Sequence, residues 1–140
     1  MGEILVGVDG SKESREAVKC AAQIARATQR RLVIASAVEP ILPSDAPEMS
    51  NRVERYTLRA REAAHAVVEE LAASIEPGLD VSTLFPNGTP AAALARLASS
   101  EEVDMVVVGH RGRNAIARAV MGSVADKLVQ ISPKPVLVVR

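Results

Sequence analysis

Aromatic side chains are almost missing from this 140-residue chain: Tyr56 and Phe85 are the only two, and there is no tryptophan. A platform on which successive bases of a single strand stack needs several exposed rings, so that class of nucleic-acid binder is excluded. An excess of one charge sign is missing as well, with 17 Lys and Arg against 17 Asp and Glu and a pI near 6.7. Partners gripped through phosphate backbones or acidic headgroups draw on a basic excess that this chain does not have, so neither nucleic acid nor a membrane surface is expected. Cysteine is single. Cys20 alone allows no intrachain disulfide and no multi-cysteine zinc site; within its helical apolar pattern it reads as a small buried side chain. No apolar run approaches the roughly 20 residues of a membrane span. Met1-Gly2-Glu3 carries neither the basic flank nor the long hydrophobic stretch of a secretory signal, so a soluble cytoplasmic protein is expected.

What is present is aliphatic. Hydrophobic residues make up 48% of the chain, chiefly Ala, Val, Leu and Ile, in a length that suits one domain spanning 1–140. Short Val- and Ile-rich runs recur at Ile4–Val8, Leu32–Val38, Asp80–Phe85, Val103–Val108 and Val136–Val139, each bounded by Gly, Pro or Asp. Such runs read as strands buried on both faces. Amphipathic segments lie between them. Ser11 is an N-cap for a helix that turns Ala17, Ala21, Ile24, Ala25 and Thr28 inward. A second helix runs from about Ser50 to Ile75 with Val53, Ala60, Ala64, Val67, Leu71 and Ile75 on one face, stopped by Pro77-Gly78. Thr89 caps a third that has Pro90 at its first position and Leu94, Leu97 and Ala98 inward. A fourth carries Val124, Leu128 and Ile131. Glu39 to Ser50, with three prolines, is the one long loop.

Strand and helix alternating in this way imply parallel pairing with right-handed crossovers: an α/β single domain with helices on both faces of an open sheet. In such sheets ligands bind at the carboxyl ends of the strands, where the strand order reverses. Functional residues are therefore expected at Asp9, around Val38, at Phe85 to Gly88, and from Gly109 onward.

The segment Gly109 to Ser123 is the richest of these. Two glycines three apart, directly after the most apolar strand, free the backbone to turn and let a ligand approach without meeting a Cβ. Their amides can then point at an anion. Gly122 interrupts a helical pattern, and Ser123-Val124-Ala125-Asp126 restarts it in the manner of a capping box. The N-terminus of that last helix adds free amides and a positive dipole end, for which phosphate is the obvious occupant. Arg111 and Arg113 flank the loop. His110 and His65 read as solvated or boundary residues, and two distant histidines make a transition-metal site improbable.

Gly109, Gly112, Gly122 and Ser123 form a Gly-x2-Gly-x9-Gly-Ser pattern, and with it the chain resembles the nucleotide-binding branch of the universal stress protein family. The resemblance runs through the opening Ile-Leu-Val-Gly-Val-Asp-Gly-Ser, the second strand ending Ala-Val-Glu-Pro, and the closing Pro-Lys-Pro-Val-Leu-Val-Val-Arg. It implies an open five-stranded parallel sheet of order 3-2-1-4-5, of the adenine-nucleotide alpha-hydrolase-like kind, holding ATP or the related AMP or ADP. By that resemblance Asp9 lies against the nucleoside, and the backbone of Val38 contacts the adenine edge. Gly109, Gly112, Gly122, Ser123 and Val124 hold ribose and phosphates. Any Mg²⁺ or Mn²⁺ would be held through those phosphates and water. Ala125 departs from the pattern: many binding members carry a hydroxyl there, and its loss removes a hydrogen bond of about 1 kcal/mol.

Other chemistries fail on residues. No Gly-x-Ser-x-Gly elbow, Walker A loop or Rossmann fingerprint occurs. A phosphoacceptor receiver needs an aspartate where Leu84-Phe85-Pro86 stands. With no evident base to activate water, catalysis is at most slow ATP hydrolysis. Two functions remain: a nucleotide-binding regulatory protein of the stress response, or a nucleotide-independent, chaperone-like interaction module. The complete glycine pattern favours the first. The apolar run Val136–Val139 is a potential edge strand, which predicts a homodimer through that strand, as the resemblance also implies.

Overall fold

A computed structural model describes residues 2–39, 50–112 and 121–140. The elements alternate as expected: β1 (Glu3–Gly7), α1 (Lys12–Thr28), β2 (Arg31–Ala35), α2 (Ser50–Ala73), β3 (Val81–Leu84), α3 (Pro90–Ala98), β4 (Val103–Gly109), α4 (Ser123–Ile131) and β5 (Val136–Val139). They build one five-stranded sheet, all parallel, in the order β3-β2-β1-β4-β5. The order reverses between β1 and its neighbours β2 and β4, which places the switch point beyond Gly7, Ala35 and Gly109.

The pleat sorts alternate residues to opposite faces. Ile4 and Val6 pack with α1 and with Val68 and Leu71 of α2. Leu5, Val33, Val106 and Val108 pack with Leu94 and Ala98 of α3 and Leu128 of α4. Both faces are thus covered over the middle strands. The two edge strands depart from the expected two-sided burial: β3 is half-buried to exposed, and β5 is half-buried throughout. The helices centre on β1, β2 and β4 and leave the margins thinly covered.

Helix starts follow local chemistry with two corrections. Ser11 does cap α1, its hydroxyl accepting from the Ser14 N–H at 3.1 Å while the Ser14 hydroxyl donates to the Ser11 carbonyl at 2.9 Å. Thr89 has the extended backbone of an N-cap, but its side chain makes no capping bond. α4 begins at Ser123 as expected, yet the cap is Gly122, whose carbonyl accepts from the Asp126 N–H at 3.0 Å. Asp126 is one position too far along for a capping box, so that expectation fails.

Some inward assignments also shift. Ala17, Ala21 and Ala25 are buried, but Val18 and Ala22 complete that face while Ile24 is half-buried and Thr28 exposed. Ile131 is exposed, and Cys20 is half-buried rather than buried. Among the described residues of α2, Val68 and Leu71 are the deeply buried ones, whereas Tyr56 and Leu58 stand exposed on its first half. Residues 40–49 of the long loop, and Arg113, lie outside the described residues. Among the described residues no helix is long and apolar enough to cross a membrane.

Candidate functional site

The site grows from the turn after β1. Asp9 follows the strand, and its Oδ1 accepts from the Ser11 N–H at 2.9 Å. Gly10 between them takes φ 86°, a left-handed conformation that glycine adopts without cost. The carboxylate therefore stands at the N-terminus of α1, where the helix dipole favours negative charge.

Three glycines bring β4 and α4 against this turn. A Cβ on Gly109 would lie 2.8 Å from the main-chain carbon of Glu13, so only glycine lets the end of β4 touch the first turn of α1. A Cβ on Gly112 would lie 2.6 Å from Oδ2 of Asp9, and one on Gly122 would lie 3.0 Å from the Cα of Arg111 and 3.2 Å from the His110 carbonyl oxygen. None of the three has a positive φ. For Gly109 and Gly112 the expected freedom to turn is therefore not a positive φ; all three are glycines for want of room.

The strand end and the helix start are tied directly, the Gly122 N–H donating to the His110 carbonyl at 2.6 Å. The next amides, of Ser123, Val124 and Ala125, belong to the first turn of α4 and have no intrahelical acceptor. They make no hydrogen bond among the described residues.

Val38 lies at the cavity with its main chain engaged by the loop after β3. Its N–H donates to the Pro86 carbonyl at 2.9 Å and its carbonyl accepts from the Gly88 N–H at 3.0 Å, forming a parallel bridge opposite Asn87. Its side chain is buried. The main chain of Ala37, one residue earlier, makes no hydrogen bond among the described residues. Apolar periodicity does not single out Ala37; the turn signal Pro86-Asn87-Gly88 was the clue that Val38 would be engaged.

These groups enclose a cavity of about 530 Å³. The seven residues that the resemblance assigns to the ligand line it, Asp9, Val38, Gly109, Gly112, Gly122, Ser123 and Val124, whereas Phe85 to Gly88, also expected from the strand ends, do not. Arg111 lines it too, while His110 does not. The fourth wall is a stripe of α2, Ala60, Ala63, Ala64 and Val67. Periodicity assigned three of these to the core, but they are exposed or half-buried because they face the cavity. That stretch of α2 is fastened to the loop after β3 by Arg61 Nη2 donating to Asn87 Oδ1 at 2.8 Å and by His65 stacked on Phe85, ring centres 3.7 Å apart. Among the described residues no three His, Cys, Asp or Glu side chains gather as a metal site. A second cavity, about 560 Å³, lies at the opposite end of the sheet between Arg26, Arg30, Arg31, Asp80 and Glu102. It sits at the amino ends of the strands, away from the switch point.

The chain is an open parallel α/β domain with a glycine-walled cavity at its switch point, the place where domains of this architecture hold their ligands. Comparison with known proteins gives the particular family. The description "Universal stress protein family" matches residues 1–140. Universal stress protein YxiE of Bacillus subtilis is 30% identical over 99% of this chain and 98% of its own. Among solved structures, the universal stress protein UspA of Lactobacillus plantarum superposes with a TM-score of 0.81 at 25% identity, covering 99% and 97% of the two chains. A universal stress protein solved in complex with cAMP superposes at 0.65 with 30% identity, covering 99% and 97%. The chain belongs to the universal stress protein family, and its fold is the adenine-nucleotide alpha-hydrolase-like one.

Proposed function

We propose that the cavity binds an adenine nucleotide, ATP or the related AMP or ADP, and that its occupancy makes this single-domain protein a cytoplasmic regulator of the stress response. The observation that carries the reading is the convergence of the seven residues of the resemblance on one cavity of a size suited to a small ligand. The phosphates would face the free amides of Ser123, Val124 and Ala125, with Arg111 adding positive charge. The nucleoside would lie between Asp9 and the alanine stripe of α2. Its base edge would meet the main chain of Ala37, with Val38 as an apolar wall. The relative solved with cAMP supports an adenine ligand.

A divalent cation would enter with the nucleotide, held by phosphate oxygens and water. Among the described residues Asp9 and Glu39 are the carboxylates that line the cavity; the reading includes at most slow ATP hydrolysis. β5 leaves one edge of the sheet open, and a second copy pairing there would give a homodimer. The direct test is calorimetric titration of ATP and adenosine into the native protein and the Gly122→Val variant, with mass spectrometry of ligand released from the purified protein. Binding in the native protein and loss of ATP affinity in the variant is expected; equal affinity in both rejects the phosphate assignment.

A further inference from the structure

His110 does not line the cavity, but its ring joins the end of β5 to Arg111, which does. The Nδ1 stands 3.3 Å from the Val139 carbonyl oxygen, and the Nε2 accepts from the Arg111 Nε at 3.1 Å. An arginine N–H can only donate, so Nε2 must be the unprotonated nitrogen. The proton is then on Nδ1, where the Val139 carbonyl receives it. One tautomer satisfies both contacts. The main chain of the same residue is equally committed, its N–H donating to Val139 at 2.7 Å and its carbonyl accepting from Gly122 at 2.6 Å. The ring is thus anchored to the end of β5, and it holds the Arg111 side chain through Nε, in a loop whose Cα abuts Gly122 at the start of α4.

We infer that His110 is a positioning residue: as the Nδ1–H tautomer it steers the Arg111 guanidinium to the phosphate end of the cavity. This rests on the nucleotide reading above and adds to it the device that orients the one described cationic side chain lining that cavity. An arginine loses much rotamer freedom when it binds an anion. A neighbour that fixes it beforehand removes part of that cost, and the gain falls on ligands that carry phosphate.

Two substitutions separate the two ring nitrogens. In His110→Asn the amide N–H can replace Nδ1 towards Val139, but the shorter side chain puts no acceptor at the Nε2 position facing Arg111 Nε. In His110→Gln the longer amide places an oxygen near the Nε2 position, so the Arg111 contact is restored. The main-chain bonds of residue 110 persist in both, which keeps β5 paired. Titrations of ATP and adenosine should show ATP affinity falling about fivefold in His110→Asn, the loss of one hydrogen bond, and returning to within twofold of native in His110→Gln. Adenosine affinity should stay unchanged in both. Equal ATP affinity in all three proteins, or a parallel loss of adenosine affinity, overturns the inference. Long-range proton–nitrogen correlation spectra of the nucleotide-free protein give a second measurement, taken where the imidazole is neutral. A proton on Nδ1 of His110 is expected, and one on Nε2 overturns the inference. A native protein that binds neither ligand overturns the nucleotide reading, while the tautomer still decides the His110–Arg111 contact.

Discussion

A Cβ on Gly112 would lie 2.6 Å from Oδ2 of Asp9. The second glycine of the pattern and the acidic residue after the first strand, more than 100 positions apart in sequence, are therefore one feature. Gly112→Ala must displace the Asp9 carboxylate from its place beside the cavity. Since Asp9 is assigned to the nucleoside, adenosine and ATP should both lose affinity, by about tenfold for a misplaced charged hydrogen bond of ~1.5 kcal/mol. Calorimetry on the two ligands checks this; unchanged adenosine binding would detach Asp9 from the site.

Gly109→Ala addresses a different contact. Its Cβ would meet the main chain of Glu13 at 2.8 Å, where no flexible side chain can yield. β4 and the first turn of α1 must separate, at roughly 1–3 kcal/mol for an overpacked interface. Thermal unfolding should show Tm lower by several degrees. A variant as stable as the native protein would mean that this junction relaxes freely.

How far these residues were legible in the sequence follows from what kind of constraint each obeys. Strand positions and helix starts came through because Val-rich runs, Ser11 and Pro90 act locally. The glycine spacing came through as a pattern, but its reason did not: Gly109, Gly112 and Gly122 are small because Glu13, Asp9 and Arg111 lie beside them, and such proximity exists only in three dimensions. The hydrogen bonds of the Val38 main chain to Pro86 and Gly88 were not legible for the same reason, since they come from another strand end. The outward alanines of α2 looked like core because periodicity cannot tell a packed face from a cavity wall.

Ala125 is buried within the α3–α4 side of the core and also lines the cavity. Ala125→Ser would supply the hydroxyl that many nucleotide-binding members carry. ATP affinity should rise several-fold, corresponding to about 1 kcal/mol, while stability in the absence of nucleotide falls by ~1 kcal/mol or more because the new hydroxyl is buried without a partner. Opposite signs in the two measurements are the expected signature. A rise in both would show that the hydroxyl finds a partner in the protein itself.

On the surface, Arg15 Nη1 donates to Glu70 Oε1 at 2.6 Å and fastens α1 to α2. The hydrogen bond to Arg15, with its charge, holds the Glu70 carboxyl below the ordinary 4.5. A carboxyl with a depressed folded-state value contributes stability above its unfolded value, and that contribution is lost as pH falls through the folded one. Glu70→Gln should therefore unfold at a slightly lower temperature than native at pH 7, the difference vanishing in acid below the ordinary carboxyl range. Because both groups are exposed, the difference should also shrink in high salt. An offset that persists in acid would trace it to packing of the Glu70 stem instead.

The open edge of β5 can be tested without touching its inner ladder. The Val106 N–H donates to the Pro135 carbonyl and the His110 N–H to that of Val139, which fixes the alternation of the parallel ladder. Carbonyls of 135, 137 and 139 face β4, so the N–H groups of Val136 and Val138 face outward. Val138→Pro removes an outward N–H and leaves every bond to β4 in place; proline is tolerated on an edge strand when its missing donor faces away from the sheet. If two copies pair through β5, this variant should sediment as a monomer, with a Tm reduced only by the loss of its partner and restored to no greater extent at high protein concentration. A Val138→Pro protein that remains dimeric would move the interface elsewhere, to a surface such as the exposed Tyr56 and Leu58 of α2.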